Sequence, residues 1–190
     1  MIHLFTGAIG SGKTLSALNF IAKHKNYSQR PLYVYGVNDF NTQAYTDLTG
    51  IECHKITLEQ LQNWRDEVPS NSVILIDEVQ KVWRKQKTGV APPKAVQDLE
   101  TSRWAGYDFV ATCQFTTQLD VDFRKHCNDH FHLERKKGLQ RVVVYNWETV
   151  QNTPPDYHQK LECTKTAFRI KEMEPYFSVY HSADSHNITP

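Results

Sequence analysis

The chain is poor in cysteine. Four are scattered at Cys53, Cys113, Cys127 and Cys163, and no two form a C-x-x-C pair. That spacing argues against a disulfide framework and a cysteine-rich zinc site, and reads as reduced thiols. Cys113 lies in the apolar run 109–113 and reads as core. Long hydrophobic runs are missing too. No stretch approaches the roughly 18 uncharged apolar residues that cross a bilayer. No leader pattern precedes the first apolar segment. Charge of one sign is not in excess: 22 Lys and Arg stand against 21 Asp and Glu, for a net charge of +1. This balance argues against a basic nucleic-acid coat but leaves room for a local basic groove. Internal repeats and low-complexity tracts are absent.

What is present suits one folded domain. The 190 residues are 39% hydrophobic and 23% charged, enough to bury a core without staples. Strands are expected at Ile2–Thr6, Pro31–Val37, Ile51–Thr57, Ser72–Asp77 and Tyr107–Gln114. Helices are expected from Thr14 to Lys25, over LEQLQNWRDEV behind a Thr57 cap, and from Ala95 to Trp104. SVILID is nearly all apolar, the mark of a central parallel strand covered on both faces. Residues 85–93 read as a loop. His130–Glu134 and Gln140–Trp147 flank Lys136-Lys137-Gly138-Leu139 as a hairpin. Strands alternating with helices imply an α/β fold, with a mostly parallel sheet flanked by helices and an added antiparallel hairpin. Residues 1–153 form the expected domain. Residues 154–190 lose periodicity and read as an appended segment.

The most specific pattern is Gly7-Ala8-Ile9-Gly10-Ser11-Gly12-Lys13-Thr14. It fits GxxxxGK[ST] between an apolar strand and an amphipathic helix, as a P-loop requires. Gly7, Gly10 and Gly12 let the backbone N–H groups close on phosphate oxygens. The helix behind them adds its positive end. Ala8, Ile9, Ser11 and Leu15 complete the expected nucleotide-binding stretch. Lys13 would neutralise the β- and γ-phosphates, and the Thr14 hydroxyl would ligate Mg²⁺. ATP and Mg²⁺ are therefore the expected cofactors.

Val73-Ile74-Leu75-Ile76-Asp77-Glu78 matches a Walker B strand. Asp77 would hold the metal through water. Glu78 would act as general base on the attacking water. Gln114, ending its own strand, would contact the γ-phosphate or that water. Arg103 and Arg124 are candidates to stabilise charge on the γ-phosphate, from the same chain or a neighbour. His130 and His132 share a strand face, with Phe131 and Leu133 expected on the buried one. Neither they nor His126 meet a third ligand at zinc spacing. Arg135-Lys136-Lys137 reads as a solvated hairpin tip.

Taken together, the residues resemble the zonula occludens toxin family. The phosphate loop, ILIDE, Thr101-Ser102-Arg103-Trp104-Ala105-Gly106-Tyr107-Asp108, Gln114, Leu119-Asp120, Phe123-Arg124 and His130–Leu133 follow in order over residues 2–135. The aromatic stretch 176–183 adds to the likeness. Family members commonly carry histidines beside the first of these arginines, whereas Ser102 and Trp104 stand here. The resemblance implies an ATPase that drives filamentous-phage assembly and extrusion. It implies a homo-oligomeric ring at the cytoplasmic face of the bacterial inner membrane, anchored by a segment beyond residue 190. Phage coat and assembly proteins, and single-stranded DNA, are the implied partners. It assigns phosphate contacts to Gly10, Gly12, Lys13 and Thr14, metal to Asp77, catalysis to Glu78, and it favours Arg103 and Arg124. The Walker patterns alone also admit a DNA-translocating or DNA-packaging motor, a small-molecule kinase, or a nucleotide switch.

Overall fold

The computed structural model describes residues 1–87, 89–136 and 139–180. Lys137 and Gly138 of the expected hairpin tip, and residues 181–183 of the aromatic stretch, lie outside them. Strand β1 (Ile2–Gly7) is buried along its whole length. A glycine loop carries it into α1 (Lys13–Lys23), which turns Ala17, Leu18 and Ile21 to the core. Then come β2 (Leu32–Tyr35), α2 (Thr42–Thr49) and β3 (Cys53–Lys55). Helices α3 (Leu58–Gln62) and α4 (Trp64–Glu67) precede β4 (Val73–Ile76). Helices α5 (Lys94–Gln97) and α6 (Leu99–Ser102) precede β5 (Asp108–Cys113). Helix α7 (Val121–His126) leads to β6 (Asp129–Arg135) and β7 (Arg141–Trp147). Helix α8 (Tyr157–Leu161), β8 (Thr164–Arg169) and a 3₁₀ segment, Ile170–Tyr176, follow.

The strands make one sheet in the order β3-β2-β4-β5-β1-β6-β7-β8. The first six in that order run parallel, and β7 and β8 add antiparallel pairs. Successive residues of the central strands alternate between two cores. Phe5, Leu75 and Val110 face α1 and the 170–180 stretch. Leu4, Ile74, Ile76 and Phe109 face Trp64, Trp83 and Phe123 on the other side. Both layers are dry enough that a fully buried Leu or Ile contributes about 1.5–3 kcal/mol. The buried Trp64 indole N–H is satisfied by the Ala95 carbonyl at 2.9 Å.

Several elements differ from expectation. The Thr57 capping box forms, but the helix it starts breaks at Asn63. The expected 95–104 helix is split at Asp98 and stops at Ser102. Helix α2 was not expected, because Tyr45 is the one buried residue on it and no apolar stripe exists. Its signals were the caps, Asn41 accepting from the Ala44 N–H and a left-handed Gly50. Beyond Pro154-Pro155, β8 pairs with β7 from Thr164 to Arg169. Its residues are largely exposed, so no alternation marked it. The stretch 85–93 holds no helix or strand among its described residues.

Candidate active site

The carboxyl ends of β1, β4 and β5 meet at one edge of the sheet, with β5 between the other two. At the end of β1 the chain must turn sharply, and Gly7, Gly10 and Gly12 take φ of 147, 73 and 89°. A Cβ on Gly7 would stand 2.5 Å from the Leu133 carbonyl oxygen. The Ser11 N–H donates to the Ala8 carbonyl at 3.2 Å, curling the loop, and α1 starts at Lys13. The unpaired N–H groups of that first turn face the loop's mouth. Lys13 is buried and folds back over the loop. Its Nζ donates to the Ala8 carbonyl at 3.2 Å and lies 3.9 Å from Glu78 Oε1.

From β4 comes the carboxylate pair. Asp77 is buried, and its Oδ1 accepts from Thr14 Oγ1 at 2.8 Å and Thr112 Oγ1 at 2.6 Å. Burial pushes its carboxyl above the usual range, against the two hydroxyl donors and Lys13. Glu78 follows in the left-handed region, φ 52° and ψ 52°. That conformation costs a non-glycine residue about 1 kcal/mol or more. Its N–H is held by Thr112 Oγ1 at 2.9 Å. Its carboxylate accepts from Gln80 Nε2, and from Gln114 Nε2 at 3.4 Å. The backbone is thus bent to turn Glu78 toward the loop.

A cavity of about 810 Å³ opens here, lined by residues 9–15, Asp77, Glu78 and Gln114. These are the expected loop, metal, base and Gln residues, with Gly7 and Ala8 framing the loop behind them. Arg103 and Arg124 are not brought to it within one chain. Arg103 is exposed after α6, at the amino end of β5, where its charge acts on the Met1 amino group. Gln114 is at the other end of that six-residue strand, about 20 Å away. Arg124 is half-buried on α7, and its Nε has no hydrogen-bond partner among the described residues.

The donors suit a hard divalent cation. A hydroxyl and a carboxylate already 2.8 Å apart are what Mg²⁺ takes beside water and phosphate oxygens. A cation there would also relieve the burial penalty on Asp77. Among the described residues no group of three His, Cys, Asp or Glu could hold a metal by itself.

The family model of zonular occludens toxin (Zot) matches residues 1–187. The chain belongs to the zonular occludens toxin family. It is 28% identical over 194 residues to the putative assembly protein ORF301 of Pseudomonas phage Pf3. That alignment covers 98% of this chain and 59% of the phage protein, so the chain spans little more than half of that relative. The N-terminal domain of zonular occludens toxin from Neisseria meningitidis superposes with a TM-score of 0.72 at 22% identity, over 95% of this chain and 98% of that one. The genome packaging NTPase B204 of Sulfolobus turreted icosahedral virus 2, in complex with AMPPCP, gives 0.56 at 13% identity, covering 82% of this chain and 97% of B204. The fold is that of P-loop NTPases.

In this Zot-family chain, several residues at the site were not legible as such. Lys81 lines the cavity because a single 3₁₀ turn, Val79–Lys81, follows Glu78. The Lys81 N–H donates to the Glu78 carbonyl at 2.8 Å, which closes that turn. Arg135 also lines the cavity, while staying exposed at the end of β6 where the hairpin tip begins. Strand β6 runs parallel to β1 with Leu133 opposite Gly7, so Arg135 emerges just past the loop. The histidines need correction. His130 and His132 are buried, like Leu133, because β6 is covered on both faces. Both rings bond Thr6 Oγ1, at 2.7 and 2.8 Å. The Gln151 N–H donates to His130 Nδ1 at 3.0 Å. That assigns the His130 proton to Nε2, which donates to Thr6, whose hydroxyl donates to His132 Nδ1. Burial pushes these imidazoles down to about 3 and about 4. The neutral relay braces the residue preceding Gly7. Among the described residues no helix is long and apolar enough to cross a membrane.

Proposed function

We propose that this protein is an Mg-ATP-hydrolysing motor of filamentous-phage assembly and extrusion. It works as a homo-oligomeric ring at the cytoplasmic face of the bacterial inner membrane. The observation that carries this reading is the convergence of Lys13, Thr14, Asp77, Glu78 and Gln114 on one cavity. Family membership and the Pf3 assembly protein support the biological setting. The motor's partners are phage coat and assembly proteins and single-stranded DNA.

The loop amides and Lys13 bind the β- and γ-phosphates. Thr14 and Asp77 would hold Mg²⁺, which would supply positive charge against the phosphate oxygens. Glu78 accepts the proton of the attacking water, and Gln114 orients both. Arg103 or Arg124 completes the site from a neighbouring subunit, a head-to-tail contact that closes a ring.

ATP hydrolysis measured against protein concentration, for wild type and Glu78→Gln, tests this. Specific activity should rise with concentration, and Glu78→Gln should abolish turnover while still binding ATP. Turnover independent of concentration would remove the shared site. Tight binding without turnover would make the protein a nucleotide switch.

A further inference from the structure

An 810 Å³ cavity exceeds what a phosphate chain needs and lies in the range of about 300–1,000 Å³ that takes a whole small ligand. Its chemistry changes along its length. The end at the loop is polar and charged. Another part of its lining is Val142, Phe168, Ile170, Met173, Phe177 and Tyr180, with the Glu174 carboxylate among them. A 3₁₀ turn repeats every three residues. Met173, Tyr176 and Val179 are therefore in step and buried against α1 in the core. Phe177 and Tyr180 are also in step, one face round, half-buried on the cavity. Both ends of this wall are pinned. The Ile170 N–H donates to the Gln140 carbonyl at 3.1 Å, and the Asn41 N–H donates to the Val179 carbonyl at 2.8 Å.

We infer that this wall receives the base of the bound nucleotide. The inference rests on the nucleotide reading above and adds the part of the molecule that holds the heterocycle. A mostly apolar, aromatic-sided lobe with one carboxylate, Glu174, joined to a phosphate cradle matches a nucleoside triphosphate in both halves. Stacking on an aromatic ring is tolerant of base identity, so the wall sets affinity for a base more than choice between bases. The residues after β7 thus complete the site that the first 78 residues begin.

Calorimetric titration of the protein with MgATP and with inorganic tripolyphosphate tests this. Wild type should prefer ATP. Phe177→Ala should weaken ATP about 10-fold and leave tripolyphosphate unchanged. Phe177→Leu, which keeps the bulk, should fall between. Amide exchange of the wild type supplies a readout free of mutation: residues 168–180 should gain protection with ATP and not with tripolyphosphate. An unchanged ratio of the two affinities in Phe177→Ala, or equal protection by both ligands, overturns the base site. Wild type that binds neither ligand, or Lys13→Ala that binds both normally, overturns the nucleotide reading itself.

Discussion

The Thr112 hydroxyl donates to Asp77 Oδ1 at 2.6 Å while its oxygen accepts the N–H of Glu78 at 2.9 Å. One side chain on the strand between the loop and the Walker B strand thus fixes both carboxylates. Thr112→Val keeps the shape and removes both bonds. It should lower kcat about 10-fold or more, since hydrogen bonds to charged groups contribute about 1.5–3 kcal/mol. Thr112→Ser should restore most of it. Steady-state hydrolysis by the two variants decides; equal rates in Thr112→Val and wild type would remove Thr112 from the mechanism.

Gly36, just past the end of β2, stands against the Asp77 backbone. It has φ +82°, and a Cβ there would lie 2.7 Å from the Asp77 carbonyl oxygen. Gly36→Ala should cost about 1–3 kcal/mol and displace Asp77. Thermal unfolding should show a Tm lower by several degrees. Mg²⁺-dependent nucleotide affinity should fall with it.

The distance between Arg103 and Gln114 gives a test by mixing. Lys13→Ala and Arg103→Ala should each be inactive alone. If Arg103 acts on a neighbour's site, combining them regenerates some sites with intact Lys13 and a donated arginine. Recovered activity in the mixture is the expected result. A mixture as inactive as its parts assigns Arg103 to structure, and the same pairing with Arg124→Ala then follows.

Acid should destabilise the fold through its buried imidazoles. His130 is held at about 3, and His132 and His3 at about 4, all chiefly by burial. In the unfolded chain they titrate near 6.5. Below that pH the unfolded state binds more protons, so stability falls as pH falls from 6.5 toward 4. Each histidine contributes about 1.4 kcal/mol per pH unit in that window. Urea midpoints at pH 7, 5.5 and 4.5 should decline steeply, and less so in His130→Gln. A level profile would contradict the neutral relay through Thr6.

The parallel core and the phosphate machinery were legible because they depend on local pattern. VILI is apolar on both faces, and GxxxxGKT demands its backbone. The other half of the cavity was not legible. Phe168, Phe177 and Tyr180 carry no spacing that points to a ligand, and they come to line the cavity only because β8 pairs with β7. Thr112 was hidden for the same reason. A threonine in an apolar strand is ordinary until the sheet order sets β5 beside β4. Arg135 needed the register of β6 on β1. Long-range pairing, not composition, decided each of these.

The sheet's two outermost strands also govern how copies of the chain can meet. At one margin β3 is three residues long and ends in Lys55. At the other, β8 presents Lys165 and Arg169, and among the described residues no strand pairs with its outer side. Short length and lysine are what discourage strand-to-strand growth between molecules. Edge-to-edge growth of sheets is thereby disfavoured, so the proposed ring would have to close through other surfaces than these strand edges.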